Sequence, residues 1–254
     1  GTTLRGVLER EYAGQAALDL HGDVERRLAL LTAISEDERR ALRLVSGPMG
    51  FGVDRLLPGP SAYVTMLRDP VERIVSAYYG TVVARPDSGD EGDGRAACED
   101  LGTLENFVRS SRCAGLVSNA QTRLLGADDI VAGGRADRAA LDRAKAVIDR
   151  PDVVVGVQDR FDESLLLMVH AFGWGYPAVG RDAVGRTRTS TDDLPSSTIE
   201  LIREANALDL ELYEHARRRF EADLASLAEL VDLDEELETF RLAARWWEPL
   251  GEND

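Results

Sequence analysis

Two short apolar runs are prominent along the chain because both are rich in β-branched side chains. The first is AYVTML at residues 62–67, and the second is DVVVGV at residues 152–157. A nearly continuous run of this length is typical of a strand buried on both faces, as in a parallel sheet. The segment AALDLHGD predicts a further short strand that carries His21 near its end.

Helical periodicity accounts for most of the remaining chain. GTTLRGVLEREYA has apolar residues at helical spacing, and Ser35 with Glu38 gives a capping-box signature at the start of SEDERRALRLV. Further helices are predicted for ADRAALDRAKAVID, for the apolar SLLLMVHAF and for residues 197–230. No repeat or clear linker interrupts the pattern. This order of strands and helices predicts one α/β domain over residues 1–254, with a central parallel sheet flanked by helices and a helical C-terminal part.

Composition narrows the classes of ligand. The 254 residues carry a formal net charge of −16, and 44% of them are hydrophobic, as in an ordinary globular protein. The acidic balance argues against a nucleic-acid-binding protein, since such proteins need a basic surface that neutralises phosphates. An anionic ligand must therefore be held by locally placed arginines and backbone N–H groups.

Cysteine content and hydropathy indicate the compartment. Cys98 and Cys113 are too few for a disulfide scaffold and lack the spacing of a zinc site. Two reduced thiols are expected, with a bridge across the short loop as the alternative. The uncharged residues 165–180 are too few to span a membrane. No signal peptide is visible, so a cytoplasmic location is expected, although the abrupt start GTTL indicates that upstream residues are missing.

The polar residues after the first apolar run form the most informative pattern. Asp69 predicts an N-cap, Pro70 suits the first helical position, and Glu72 occupies the acidic position of a capping box. Arg68 lies at the carboxyl end of the strand, where open α/β sheets bind ligands, and Ser76 lies about two turns into the helix. A guanidinium fork suits a phosphate, so this pair is a candidate phosphate site. The alternative for Arg68 is an ion pair with a surface carboxylate, and the alternative for Ser76 is a small packing residue within the helix.

The segment LRDPVERIVSAYY closely resembles the 3′-phosphate motif of sulfotransferases that use 3′-phosphoadenosine 5′-phosphosulfate (PAPS). The similarity is to the carbohydrate group that contains heparan sulfate 2-O-sulfotransferases and their bacterial relatives. It extends through SNAQTRLLG, VVVGVQDRFDESLLLMVHAFGW and DLPSSTIELIREANALDLELYEHARRRFE. The resemblance implies a P-loop-type three-layer fold, PAPS as donor, 3′-phosphoadenosine 5′-phosphate (PAP) as product, and no metal. It also implies that Arg68 and Ser76 hold the 3′-phosphate.

The resemblance places further nucleotide contacts on two loops. GTTL resembles the end of the family's 5′-phosphosulfate loop, where N–H groups and a helix dipole receive an anion, so Gly1, Thr2 and Thr3 are expected on the 5′ side. The loop lysine and the strand before it are absent from the sequence, and Lys145 cannot be assumed to replace that lysine.

The second loop, VGRTRTSTDDLP, matches a mobile basic loop that closes over the nucleotide in the family. By position, Arg186, Arg188 and Thr189 are the expected contacts; a solvated loop with spare arginines is the alternative. The segment NAQTR supplies Asn119, Gln121 and Arg123, whose polar groups either face the acceptor or cap a helix.

The catalytic base departs from the family pattern. Relatives carry a Gly-His pair before the 3′ motif, whereas Pro48 follows the glycine here and can transfer no proton. His21, with Asp19 beside it, is the best substitute, because a positioned imidazole suits proton removal from a hydroxyl. His170 is expected to be a satisfied core residue, and His215 to lie on a helix surface.

Together these features predict a PAPS-dependent sulfotransferase that acts on a hydroxyl. The net charge of −16 disfavours a polyanionic glycan as acceptor, so a neutral sugar, a glycolipid or a small natural product is expected. Two alternatives stay open. Pro48 is compatible with a noncatalytic descendant that binds PAP or PAPS. A P-loop kinase that uses ATP is less favoured, because no complete G-x-x-x-x-G-K-[ST] motif is present.

Overall fold

The computed structural model describes residues 2–21, 23–83, 98, 100–131, 136–176, 191 and 194–246. Four of the expected nucleotide contacts, Gly1, Arg186, Arg188 and Thr189, lie outside the described residues. Thr2 and Thr3 lie at the start of the first helix. The fold is a mixed α/β fold, as the pattern of apolar residues predicts.

The described strands form two parallel pairs. β1 (Ala17–Asp19) pairs with β2 (Leu44–Ser46), and β3 (Tyr63–Leu67) pairs with β4 (Val153–Val157). Strands β1, β3 and β4 and the parallel pairing are confirmed predictions. A single continuous sheet was expected, whereas the part of the chain that the structure describes has two two-stranded sheets.

Helices make up most of the described chain. They are α1 (Thr2–Glu11), α2 (Val24–Ala33), α3 (Glu36–Ala41), α4 (Pro70–Tyr78), α5 (Leu104–Arg109), α6 (Ala114–Val117), α7 (Ala120–Leu125), α8 (Arg138–Ile148), α9 (Phe161–Phe172), α10 (Ser196–Ala205), α11 (Ala207–Ala228) and α12 (Leu233–Trp246). The predicted capping box at Ser35 and Glu38 is present at the start of α3. Among the described residues, no helix is both long and apolar enough to cross a bilayer.

Two predicted helical boundaries are wrong for tertiary reasons. The segment SEDERRALRLV was expected to be helical throughout, but α3 ends at Ala41 and Leu44–Ser46 forms β2. The N–H of Arg43 donates to Ala16 O at 2.8 Å, so pairing with the β1 segment takes over from the helix. The tract 197–230 is likewise divided, between α10 and α11, at Asn206.

The β3–β4 pair is buried between helices on both faces. On one face, Val155 packs in a cluster with Leu141 of α8, Leu166 of α9 and Phe220 of α11. On the other face, Val64, Met66 and Val154 pack against a cluster of residues from α1, α9 and α12. Burial on both faces explains the uninterrupted apolar composition of these strands, and it leaves their carboxyl ends as the polar edge.

A third cluster joins α4, α5 and α10, and it contains both cysteines. Cys98 and Cys113 form a disulfide, with 5.9 Å between their Cα atoms, so the expectation of two reduced thiols is wrong. Their spacing of 15 residues left both states open, and in the structure both cysteines are buried in one cluster with residues of α5.

Candidate nucleotide and acceptor site

The candidate site begins where β3 ends and α4 starts. Asp69 Oδ1 accepts hydrogen bonds from the N–H groups of Val71 at 2.9 Å and Glu72 at 3.0 Å, which confirms the predicted N-cap, and Pro70 occupies the first helical position. The N-terminus of α4 therefore lies directly beside Arg68, the residue between the last strand position and the cap. A helix N-terminus carries a partial positive charge, so this junction favours an anion.

The side chain of Arg68 is half-buried, and its Nε atom lies 3.3 Å from Glu72 Oε2. Glu72 was expected to complete a capping box, but its carboxylate instead pairs with Arg68. Glu72 and Ser76 are four residues apart on α4 and so share one side of that helix, and Arg68 contacts this side through Glu72. Ser76 is exposed. The guanidinium of Arg68 thus lies beside Glu72, and the hydroxyl of Ser76 is one turn further along α4.

Gln121 holds the backbone of Arg68 rather than facing open solvent. The N–H of Arg68 donates to Gln121 Oε1 at 2.9 Å, and Gln121 Nε2 donates to the Arg68 carbonyl at 3.0 Å. The two residues are separated by 53 positions in sequence, so this contact was invisible to local pattern analysis.

Asn119 is a helix cap, which is one of the two roles left open for it. Its φ of 45° is left-handed, and its Oδ1 atom accepts from the N–H groups of Leu208 at 2.9 Å and Asp209 at 3.1 Å, at the start of α11. In return, Asp209 accepts from the N–H groups of Gln121 at 3.1 Å and Thr122 at 2.7 Å, at the start of α7. Helices α7 and α11 therefore cap each other.

Arg123 lies on α7 and contacts main-chain carbonyls. Its Nη1 atom donates to Ser118 O at 3.5 Å, and its Nη2 atom donates to Gly115 O. Burial lowers the pKa of Arg123, and the charge of Asp209 opposes that shift. An acceptor contact by Arg123 stays a prediction.

Two charged residues of this region, Arg73 and Asp209, were not among the candidate site residues predicted from the sequence. Asp209 is fully buried, and Arg73 Nε lies 3.9 Å from its Oδ2. Arg73 Nη1 donates to Leu116 O at 2.8 Å. Burial lowers the pKa of Arg73, Asp209 opposes that shift, and the charges of Arg123 and Arg68 reinforce it. Asp209 had a detectable signal, because a charged residue four positions after Ala205 and three before Leu212 lies on the apolar face of its helix.

His21 lies two residues beyond β1 and is oriented by Asp19. Its Nδ1 atom is 2.5 Å from Asp19 Oδ1, and its backbone N–H donates to the same oxygen at 2.9 Å. Asp19 Oδ2 also accepts from Arg5 Nη2 at 2.8 Å. Burial alone would raise the pKa of Asp19, but the hydrogen bonds from His21 and the charges of His21 and Arg5 hold it below its usual value of 3.8. The contact with an ionised carboxylate places a proton on Nδ1 and leaves Nε2 as the basic nitrogen.

The other two histidines face carboxylates elsewhere. His170 was expected in the core, but its side chain is 32% exposed and its Nε2 atom lies 3.5 Å from Glu236 Oε2, so that prediction is wrong. The apolar run around it is buried, yet His170 occupies the outer side of α9. His215 Nε2 lies 2.8 Å from Asp149 Oδ1 on the helix surface, as expected.

A cavity of about 190 Å³ separates the end of β2 from the edge of β3. Its lining is mostly apolar and includes Gly47–Phe51, the whole of β3, and Gln121. Pro48, the residue that the sequence resemblance aligns with a histidine of the sulfotransferases, is part of this lining. Among the described residues, no group of three or more His, Cys, Asp or Glu side chains is arranged to hold a metal ion.

The α/β fold and its short parallel strands agree with a sulfotransferase-like fold, and the family match defines the class as carbohydrate sulfotransferases. The family described as galactose-3-O-sulfotransferase matches residues 39–248, which include the Arg68 junction, Gln121 and Asp209. The chain belongs to the galactose-3-O-sulfotransferase family. No curated protein matches the chain.

Proposed function

We propose that the protein transfers the sulfuryl group of PAPS to a hydroxyl of a neutral, galactose-type sugar. The observation that carries the proposal is the Arg68 junction, within the part of the chain that matches a sulfotransferase family. Arg68 and Ser76 hold the 3′-phosphate, because a planar guanidinium and a hydroxyl are the donors that a phosphate needs. The adjacent N-terminus of α4 adds its partial positive charge.

The remaining nucleotide contacts in the proposal come from the chain's resemblance to its family. Thr2 and Thr3, at the N-terminus of α1, bind the 5′ side together with Gly1. Arg186, Arg188 and Thr189, which lie outside the described residues, are further nucleotide contacts in the proposal. PAPS, when bound, supplies the sulfuryl group and leaves as PAP, and no metal takes part.

In this proposal His21 is the general base. Nε2 of His21 takes the proton of the acceptor hydroxyl as that oxygen forms its bond to sulfur and the bond from sulfur to the phosphate oxygen breaks. Asp19 positions the imidazole through Nδ1 and stabilises the imidazolium that results, as carboxylates do in other histidine bases.

The acceptor in the proposal is a sugar with little or no negative charge. The family's name specifies the 3-hydroxyl of galactose, and the chain's net charge of −16 opposes the approach of a polyanion. Asn119, Gln121 and Arg123 were expected either to face the acceptor or to cap a helix, and the described contacts of Asn119 and Gln121 are structural. Arg123 is the one of the three that the proposal keeps on the acceptor side.

A calorimetric titration of PAP tests the nucleotide site directly. We expect the full-length protein to bind PAP and Arg68→Ala to lose at least tenfold in affinity, roughly the loss of one charge-assisted hydrogen bond. Arg40→Ala, which removes an exposed arginine from α3, is the matched control and should bind as the wild type does. A folded wild-type protein that does not bind PAP would contradict the proposal.

A transfer assay separates the enzyme from a noncatalytic nucleotide-binding protein. Pro48 favours the noncatalytic protein, since it lines the cavity and, by the sequence resemblance, takes the place of a histidine that could transfer a proton. Transfer of labelled sulfate from PAPS to a β-galactoside would establish catalysis. Tight PAP binding without transfer to any sugar would favour a binding protein, and preference for ATP over PAP would favour a kinase.

A further inference from the structure

The backbone of Arg68 is held at both of its polar groups by one side chain. Its N–H donates to Gln121 Oε1 at 2.9 Å, and its carbonyl accepts from Gln121 Nε2 at 3.0 Å. The N–H belongs to the peptide plane before Arg68 and the carbonyl to the plane after it. Both planes are therefore fixed, and with them the φ and ψ angles that aim the Arg68 side chain.

We propose that Gln121 is a positioning residue for the 3′-phosphate arginine, an inference that rests on the proposed function. Its amide makes the same pair of bonds that a residue of a neighbouring antiparallel strand would make. It thereby keeps the residue after β3 extended up to the cap at Asp69, with the guanidinium at the N-terminus of α4. This role differs from both roles that the sequence left open for Gln121, an acceptor contact and a helix cap.

Gln121 can position Arg68 because Gln121 is itself anchored. Its backbone N–H donates to Asp209 Oδ2 at 3.1 Å, and Asp209 is fully buried. The backbone N–H of Asp209 in turn donates to Asn119 Oδ1 at 3.1 Å, two residues before Gln121. The carboxylate and the amide thus close a ring of hydrogen bonds between α7 and α11. Arg68 is joined to that ring through the side chain of Gln121.

Positioning matters here because Arg68 has a competing partner. Its Nε atom lies 3.3 Å from Glu72 Oε2, so a phosphate must compete with this carboxylate for the guanidinium. An arginine on a free backbone would lose more conformational entropy on binding the phosphate than one whose backbone is already fixed. Gln121 therefore acts on the affinity for the 3′-phosphate without contacting it.

A double-mutant cycle with two nucleotides tests the inference. The variants are Gln121→Met, which keeps the length of the side chain and removes both hydrogen bonds, Arg68→Ala, and the two combined. Each is titrated with PAP and with AMP, which lacks the 3′-phosphate, and its thermal unfolding is recorded. Gln121→Ala is a second variant that also removes both hydrogen bonds, and alanine is compatible with helix α7. Gln15→Met, at an exposed position after α1, is the matched control.

We expect Gln121→Met to weaken PAP binding about tenfold, on the scale of one or two net hydrogen bonds, with AMP binding unchanged. In the Arg68→Ala background the same substitution should have no further effect, because its influence passes through Arg68. Gln15→Met should bind both nucleotides as the wild type does.

Other outcomes would overturn the inference in distinguishable ways. Equal losses for PAP and AMP, accompanied by a lower melting temperature in both Gln121 variants, would reduce Gln121 to a structural role. Additive losses in the double variant would indicate a direct contact with the nucleotide. If Arg68→Ala loses PAP binding while Gln121→Met keeps it, only the positioning role fails. If the wild type does not bind PAP, the proposed function fails as well.

Discussion

At the scale of single residues, Glu72 competes with an anionic ligand for the guanidinium of Arg68. Its carboxylate pairs with Arg68 Nε at 3.3 Å, and both side chains are about one-third exposed, at 31% and 29%. A bound phosphate would meet this carboxylate at close range. Exposed ion pairs contribute little stability, so the main effect of Glu72 should fall on the ligand.

We therefore predict that Glu72→Gln tightens PAP binding by about two- to fivefold, the equivalent of removing one weak ion pair and one repulsive charge. Calorimetry on the wild type and the variant checks this. Glu36→Gln removes an exposed glutamate that pairs with Arg40 at the same spacing, and it should leave PAP binding unchanged. Weaker binding by Glu72→Gln would mean that Glu72 orients Arg68 toward the ligand.

His21 gives a prediction on rate. Because a positioned base takes the proton of the acceptor hydroxyl as its oxygen attacks sulfur, His21→Asn should lower kcat by about a hundredfold or more while PAP binding is kept. Asp19→Asn should also lower kcat, since the amide no longer orients Nδ1 or stabilises the imidazolium.

Initial rates at saturating PAPS and acceptor, with PAP calorimetry, check the base assignment. An unchanged kcat in His21→Asn would exclude His21 as the base. His215→Asn is the control, because its Nε2 atom already faces Asp149 on the helix surface.

At the scale of elements, local signals predicted the parts whose ends are set locally. The β-branched runs identify β3 and β4, and the Asp69-Pro70 pair places the start of α4. The break at Asn206 was not predictable, because its side chain is engaged by Asn119 and Arg73 from distant segments. The same holds for the bond between Gln121 and Arg68, which joins residues 53 positions apart. The candidate arginine was thus visible in the sequence, and its supporting contacts were not.

The reciprocal capping of α7 and α11 yields a stability prediction. Asn119→Ala removes the cap of α11 and places a Cβ-bearing residue without a local hydrogen bond in a left-handed conformation, so it should cost about 2 kcal/mol. Asn119→Gly removes the cap but tolerates the φ of 45°, and should cost about 1 kcal/mol.

Urea denaturation of both variants measures the difference. Ser35→Ala, which removes the cap of the exposed helix α3, is a comparison without a tertiary contact. Equal losses for Asn119→Ala and Asn119→Gly would show that the left-handed backbone adds nothing to the cost.

The disulfide provides a second prediction at this scale. The bond between Cys98 and Cys113 closes a loop of 15 residues, so reducing it should lower the free energy of unfolding by about 3 kcal/mol. Urea denaturation with and without a reductant checks the value, and a Cys98→Ala, Cys113→Ala double variant should not respond to the reductant.

Thiol titration of the unfolded natural protein decides the redox state and bears on location. Structural disulfides persist in oxidising compartments and are rare in the cytosol. Absence of free thiols would argue against the cytoplasmic location expected from the sequence. Two free thiols, with stability independent of reductant, would contradict the disulfide itself.

At the scale of the whole molecule, the negative net charge repels the anionic donor that the proposed site binds. The chain carries −16, yet the proposed donor is an anion, so binding relies on Arg68 and the N-terminus of α4 at short range. Repulsion between the net charge and an anion acts at long range and depends on salt. The Debye length falls from about 30 Å at 0.01 M salt to about 8 Å at 0.15 M.

This difference in range predicts how acceptor choice responds to salt. At saturating PAPS, kcat/KM for a sulfated galactoside should be below that for the neutral galactoside. The sulfated value divided by the neutral value should rise between about 0.01 M and 0.15 M salt, because salt screens the repulsion. Taking a ratio cancels any effect of salt on the donor. A charged acceptor that is preferred at low salt and loses its advantage as salt increases would instead reveal a local basic surface for anionic sugars. That outcome would contradict the neutral acceptor predicted from the net charge, because short-range arginines would then outweigh a charge of −16.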